Sequence, residues 1–351
     1  MPGARGIVAS LCAVLLTACN GGQTTRQAEP DSVPPARPFT AEDFAKFRDA
    51  SCPNPNAFIT PQPVSLTATP LTPETLQGAE LDDLTFAGAW HLTSDEPNFG
   101  GLSGLTVHPK DHLLGVSDSG AFVWISMLDN APSGFGAISY MRDETGRQLS
   151  GKRDADSEGL ELVDGLAFVS FERNHRIMAF DVANCGAAAN GVLVTRISEN
   201  PDALPLAISD NLGAEGLVLH TGNRLIAGLE MKTRNGAPIV SLSADETETW
   251  QFLDGPSDKR LVGLDEIDGT LFSLFRNYSP LTGNQIEIHA QATADPAPAK
   301  IATLKRPFPV DNFEGITATR LADGTVRLYI ISDDNFSARQ RTLLMAFDVT
   351  L

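Results

Sequence analysis

From residue 60 onward, short apolar runs of strand length alternate with clusters of Gly, Asp, Asn and Pro, and no long amphipathic helix pattern occurs. The apolar runs come in a repeated order. A Gly-(Leu/Ile) strand is followed by a tight turn, a second apolar strand and a charged residue at its end. Five segments follow this plan: SGLTVHPKDHLLGVSDSG, EGLELVDGLAFVSFER, EGLVLHTGNRLIAGLE, VGLDEIDGTLFSLFR and EGITATRLADGTVRLYIISDD. Their leading glycines, Gly104, Gly159, Gly216, Gly263 and Gly315, are 55, 57, 47 and 52 residues apart. Repeats of roughly 40 to 50 residues, each offering short strands, are the signature of a β-propeller.

Each repeat also supplies outer strands, such as HRIMAFDV with GVLVTRI and NQIEIHA with AKIATLK. The fifth has only RTLLMAFDV before the chain ends, so LTFAGAWHL, residues 84 to 92, is expected to complete it and close the ring. Closure removes an open sheet edge. The expectation is an all-β protein: a β-propeller of five blades, with a degenerate sixth in residues 60 to 95 as the alternative. The propeller spans residues 60–351.

Upstream the pattern changes. FTAEDFAKFRDA reads as a short helix within an arm at 39–59. Thr40 and Asp43 form a capping-box-like pair, and Phe39 can staple onto Phe44. Residues 19–38 are polar and Pro-rich and read as a linker. Residues 1–18 carry Arg5 and an apolar stretch too short to span a membrane, which reads as a signal peptide. The stretch ends in LTAC, which resembles the bacterial lipobox. That resemblance implies lipidation at Cys19 and a membrane anchor there; an ordinary signal peptide cut at a small residue is the alternative. Asn20 in place of an aspartate favours the outer membrane, so the chain is expected in the bacterial cell envelope, facing the periplasm.

Composition narrows the chemistry. With 42% hydrophobic residues over 351 positions, the chain can bury a large core. A formal net charge of -18 argues against nucleic acid and suits a protein that collects cations. Of four cysteines, Cys12 lies in the expected signal peptide and Cys19 is the expected lipid site. Cys52 and Cys185 remain and could pair in an oxidising compartment, though sequence supplies no distance between them.

The repeat also aligns charges. In a propeller the first strand of each blade lines the central channel, so a Glu that begins it points into the mouth while the following Gly lets backbones converge. Glu158, Glu215 and Glu314 take that place in three repeats, Ser103 and Val262 in the other two. The residues ending the second strands, Asp118, Glu172, Glu230, Arg276 and Asp333, would surround the same mouth. So many acids on one rim cannot all ionise without cations nearby. A hard divalent cation such as Ca²⁺, held by Glu158, Glu172, Glu215, Glu230, Glu314, Asp333 and Asp334, would relieve them. Solvation, or pairing with Arg173, Arg276 and Arg339, is the alternative, and for Asp333, Asp334 and Asn335 so is a simple turn.

GGLSGL with GVSDSG, DSEGLELVDG with SFERNHRIMAFD, AEGL with Glu230, and NFEGI with ISDDNF and QRTLLMAFDV together resemble the phytase-like family, described as having esterase-like activity of phytase. The resemblance covers residues 80 to 351. It implies an exported propeller that hydrolyses a small-molecule ester or phosphoester. Glu158, Glu215, Glu314 and Arg276 are then the catalytic candidates. Arg173, Arg339, Asp118 and Asn335 are candidates to hold substrate. A non-catalytic propeller binding a ligand or partner, or a gluconolactonase-like lactone hydrolase, are the alternatives.

Other motifs fail. GGLSGL has Leu105 where a nucleophile elbow needs glycine. DADSEG has Gly165 where an EF-hand needs its twelfth-position glutamate. The six histidines lack zinc-ligand spacing, and no phosphate-binding glycine loop occurs.

Overall fold

The second strand of the second repeat, Leu166–Phe171, is buried along its whole length, and its side chains divide between two cores. Leu166 and Phe168 enter one; Ala167, Val169 and Phe171 enter the other. A strand sandwiched between two neighbours is apolar on both faces, and for that reason reads as a continuous apolar run rather than an alternation. The same construction recurs around the molecule.

A computed structural model describes residues 37–350 apart from 74–75, 110, 206, 246 and 293–296. The expected signal peptide at 1–18, the expected lipid site Cys19 and the expected linker up to residue 36 lie outside the described residues. The rest form five small antiparallel sheets in a ring, a five-bladed β-propeller. The inner strands are Leu102–His108, Ser157–Val163, Ala214–His220, Arg260–Ile267 and Asn312–Arg320, here the first strands of blades I to V. Each touches the next, and the ring shuts where Asn312–Arg320 meets Leu102–His108. Five apolar cores fill the spaces between successive blades.

The described residues between 60 and 95 build no sixth blade. Their strands add to the outer sides of three existing sheets: Gln62–Ser65 to blade I, Ala79–Leu81 to blade IV, and both Thr67–Pro70 and Leu84–Thr93 to blade V. Leu84–Thr93 lies antiparallel to Thr342–Val349, with Ala89 opposite Met345. These strands are separated in sequence, and pairing with existing edges satisfies their backbone groups without a core of their own.

The helix Ala41–Ser51 begins with a reciprocal capping box. The Asp43 amide donates to Thr40 Oγ1 (3.3 Å), and the Thr40 amide donates to Asp43 Oδ2 (2.8 Å). Phe39 stacks on Phe44 at 6.0 Å, and Phe39, Phe44 and Phe47 all pack on Phe168. The Phe39 amide donates to Asn223 O (2.8 Å), in the hairpin turn at the far end of blade III from Glu215. Cys52 and Cys185 form a disulfide with their Cα atoms 5.7 Å apart, fixing the arm to blade II.

Candidate functional site

Every inner strand contains one residue more than its partner strand can pair with, and the irregularity falls at the same place each time. The register slips at Ser103-Gly104, Glu158-Gly159, Glu215, Val262 and Glu314. A β-bulge re-aims the side chain it carries. The glycines that follow stand where adjacent backbones nearly touch. A Cβ on Gly104 would lie 2.5 Å from Glu158 O, and one on Gly159 would lie 2.8 Å from Glu215 O. Gly263 meets Glu314 and Gly315 meets Ser103 in the same way. The Glu-Gly pair is therefore one device: the bulge turns a carboxylate towards the axis, and glycine admits the next blade.

Three of these carboxylates converge. Glu158, Glu215 and Glu314 each place an oxygen within 4.8 Å of the others. They are 7%, 8% and 7% exposed, so their mutual repulsion is poorly screened. Burial, followed by the neighbouring Glu314 and Asp156 carboxylates, pushes Glu158 well above the usual carboxylate range. Burial, followed by Glu158 and Glu314, does the same to Glu215. Glu314 is pushed up to about 7 by burial, with Arg276 opposing the rise.

Arg276 comes from the second strand of blade IV, the blade whose bulge carries Val262. Its Nη2 reaches Glu314 Oε1 (3.0 Å) and Glu230 Oε1 (3.1 Å), and its Nη1 donates to Asn312 Oδ1. Its Nε is buried and has no partner among the described residues. Asn312 Nδ2 donates to Glu314 Oε1 (3.0 Å) and Asp333 Oδ2 (3.3 Å), and Ser103 Oγ donates to Glu314 Oε2 (3.3 Å). Among the described residues Glu215 accepts no hydrogen bond and makes no ion pair.

The other expected site residues divide. Asp156, Glu158 and Glu172 form a second converging group. Glu172 also accepts from the Gly213 amide (3.4 Å), and burial pushes it up to about 7. Asp333, pushed up to about 8 chiefly by burial and then by Glu314, lies beside the triad through Asn312. Glu230 is held by Arg260 (3.2 Å) as well as Arg276. Asp118 is bound by Lys152, and Arg173 donates from Nε to Asp156 Oδ2 (2.7 Å). Asp334 belongs to neither converging group. It accepts from the Gly101 amide (2.9 Å), the Phe336 amide (3.0 Å) and Thr342 Oγ1 (3.0 Å), and these contacts organise the loop. Asn335 is exposed at a left-handed position (φ 50°) in that loop, and Arg339 is exposed on the wall of an adjacent cleft.

Sequence reasoning passed over Asp156, Asn312 and a lower layer of the channel. Glu161 and Asp265 sit two residues beyond the repeated glycines of blades II and IV. Burial pushes them up to about 8 and about 6, and backbone amides partly offset the rise. Glu161 accepts from the amides of Leu162 (2.9 Å) and Leu219 (2.9 Å). The signal was present in EGLEL and VGLDE, where the bulge restores an axial direction to the residue two places past the glycine.

A family model described as "Phytase-like: Esterase-like activity of phytase" matches residues 97–336. No curated protein matches the chain. Among solved structures, the chain is similar to a PQQ-bound aldose sugar dehydrogenase from Streptomyces coelicolor, at 11% identity and a TM-score of 0.40, covering 77% of this chain and 98% of that one. It is also similar to a glucose dehydrogenase (9% identity, 76% and 98% covered, TM-score 0.43) and to a nidogen/laminin complex (11% identity, 76% and 96% covered, TM-score 0.38).

Proposed function

The chain belongs to the phytase-like family, described by esterase-like activity of phytase, and from that premise we propose that it is a cation-dependent hydrolase of ester or phosphoester bonds acting at the acid-lined mouth of its propeller. The observation that carries the reading is the convergence of Glu158, Glu215 and Glu314, with Glu215 buried and unpartnered among the described residues. A buried carboxylate without a donor is costly, and a hard cation is the ligand that an all-oxygen donor set suits. Glu158, Glu215 and Glu314 would hold it, with Glu172 and Asp333 close by. When bound, such an ion, Ca²⁺ in this reading, would supply charge neutralisation and Lewis acidity.

The chain's own groups have separable tasks. Arg276 holds Glu314 and Glu230 in place. Asn312 orients Glu314 and Asp333. The reading extends to location: a lipid anchor at Cys19 in the bacterial cell envelope, with the outer membrane favoured. The Cys52–Cys185 disulfide supports an oxidising compartment.

The test is protein stripped of metal and assayed against aryl esters and phosphomonoesters before and after Ca²⁺ is restored. Turnover that returns with Ca²⁺ is expected. No turnover by folded, Ca²⁺-saturated protein on any of them removes the enzyme reading. A non-catalytic binding propeller is the second reading, favoured by the ion pairs through which Arg276 already compensates Glu230 and Glu314. It predicts Ca²⁺-dependent stabilisation without turnover.

A further inference from the structure

Phe336 is a bulky residue held where the backbone runs left-handed (φ 48°), directly after Asn335 at φ 50°. That conformation is sterically costly for a phenylalanine, and such residues persist only where their surroundings impose them. Two carboxylates impose it here. Asp334 Oδ1 accepts the Phe336 amide (3.0 Å) and the Gly101 amide (2.9 Å), and Asp333 Oδ1 accepts the Asn335 amide (2.6 Å). The ring itself adds little to the core. It is 46% exposed, whereas Phe313 and Phe347 of the same blade are fully buried.

The loop sets this ring on the rim of the mouth, where blade V meets blade I. Gly101, also left-handed (φ 60°), leaves room for it: a Cβ there would lie 2.6 Å from Phe336 Cε2 and 2.4 Å from Asp118 Oδ1. Two residues further on, Ser103 Oγ donates to Glu314 (3.3 Å). On the other side the loop starts from Asp333, which Asn312 joins to Glu314. The ring is thus an apolar shelf at the edge of a mouth otherwise lined by charge. The edge of an aromatic ring is electropositive. An aryl group lying on Phe336 turns that edge towards the carboxylates of Asp334 and of Asp118, the latter already held by Lys152. A saturated ring of the same size has no such edge.

We propose that Phe336 is a specificity-determining platform for an aryl ring, so that the molecule taken at the mouth is an aryl ester or aryl phosphoester. In naming an ester the inference rests on the hydrolase reading; the aryl platform itself does not. Phe336→Asn removes the ring and keeps the backbone, because asparagine tolerates the left-handed region. Phe336→Tyr keeps an aromatic face. Thermal melts check that both variants fold. Should Phe336→Asn melt early, Phe336→Gly takes its place, since glycine adopts this backbone without strain.

The experiment measures binding by ligand-observed NMR with two probes. Acetanilide is an amide analogue of an aryl ester, and N-cyclohexylacetamide carries a saturated ring in its place. The parent chain should bind acetanilide about fivefold more tightly, the scale of one aromatic pair beyond its buried area. Phe336→Asn should bring the two affinities together, and Phe336→Tyr should keep them apart. Phe135→Ala, which removes a more exposed ring (69%) from an outer strand of blade I, should bind as the parent does. The platform does not exist if acetanilide fails to bind, or binds no more tightly than its saturated counterpart. Nor does it exist if Phe336→Asn keeps the preference or Phe336→Tyr loses it. No turnover is measured, so this outcome and the fate of the hydrolase reading can be told apart. An aryl preference in a chain that hydrolyses no ester leaves the platform standing and assigns it to a binding propeller.

Discussion

Glu215 concentrates the chemistry of the mouth in one side chain. It is buried, faces Glu158 and Glu314, and finds no donor among the described residues. In metal-free protein at pH 8, Glu215→Gln should raise the melting temperature, because it removes a buried carboxyl whose ionisation burial and its acidic neighbours oppose. The same change should abolish any Ca²⁺-induced rise. Combining Glu158→Gln, Glu215→Gln and Glu314→Gln extends the test. If the three share one ion, the losses of Ca²⁺ stabilisation will be strongly non-additive, with coupling of about 0.5–3 kcal/mol. Additive effects within about 0.5 kcal/mol, with no Ca²⁺ response, would reduce the glutamates to structural punctuation.

The pH dependence follows from the same residues. Glu172 and Glu314 are pushed up to about 7, and Asp333 and Glu161 to about 8, with burial first among the causes. Each binds its proton more tightly folded than unfolded. Their contribution to stability is therefore fully present below the unfolded values, about 4, and is lost as pH rises through 7 to 8. Melting temperatures of metal-free protein should fall steadily from pH 5 to 9, and Ca²⁺ should flatten that fall. A melting temperature that rises over this interval would contradict the burial of these acids.

At the scale of the element, the bulge explains why a strand tolerates Glu-Gly. A methyl on Gly159 would crowd Ser170 Oγ at 2.7 Å and Glu215 O at 2.8 Å, so Gly159→Ala should cost about 1–3 kcal/mol by overpacking. Gly115→Ala is the control. Its nearest neighbour would be 3.4 Å away, and the change should alter stability by less than about 0.5 kcal/mol. Urea titrations of the two variants separate close approach from general intolerance of alanine. The repeated glycine and the acid before it were legible because both recur at blade spacing. The bulge was not, because register is a property of two strands and no single strand records it. Glu161 and Asp265 were missed for the same reason: a strict alternation gives the wrong face once one residue has been inserted.

Across the whole molecule, the amino-terminal arm is fastened twice, by the phenylalanine cluster on Phe168 and by the disulfide across 133 residues of sequence. Replacing Cys52 and Cys185 by serine should lower stability by about 2–4 kcal/mol in a denaturant titration, chiefly by freeing the unfolded chain. The Ca²⁺ response should persist, since the arm meets blades II and III at the end away from the mouth. A lost Ca²⁺ response would mean that the arm shapes the mouth from a distance. By itself the sequence determined the all-β class, the repeated blade unit, the capped helix and the identity of the axial glutamates. These are written in local signals: apolar periodicity, turn residues, a capping box, and a pair recurring at one spacing. Only the tertiary structure decided that Gln62–Ser65, Thr67–Pro70 and Ala79–Leu81 would join three different blades. It alone also set Arg276 between Glu230 and Glu314, tied Asp334 into its loop, and gathered Arg306, Arg339 and Arg341 on one wall. Each of those outcomes depends on which surfaces meet when the ring closes, and residues distant in sequence find their partners only across a blade boundary.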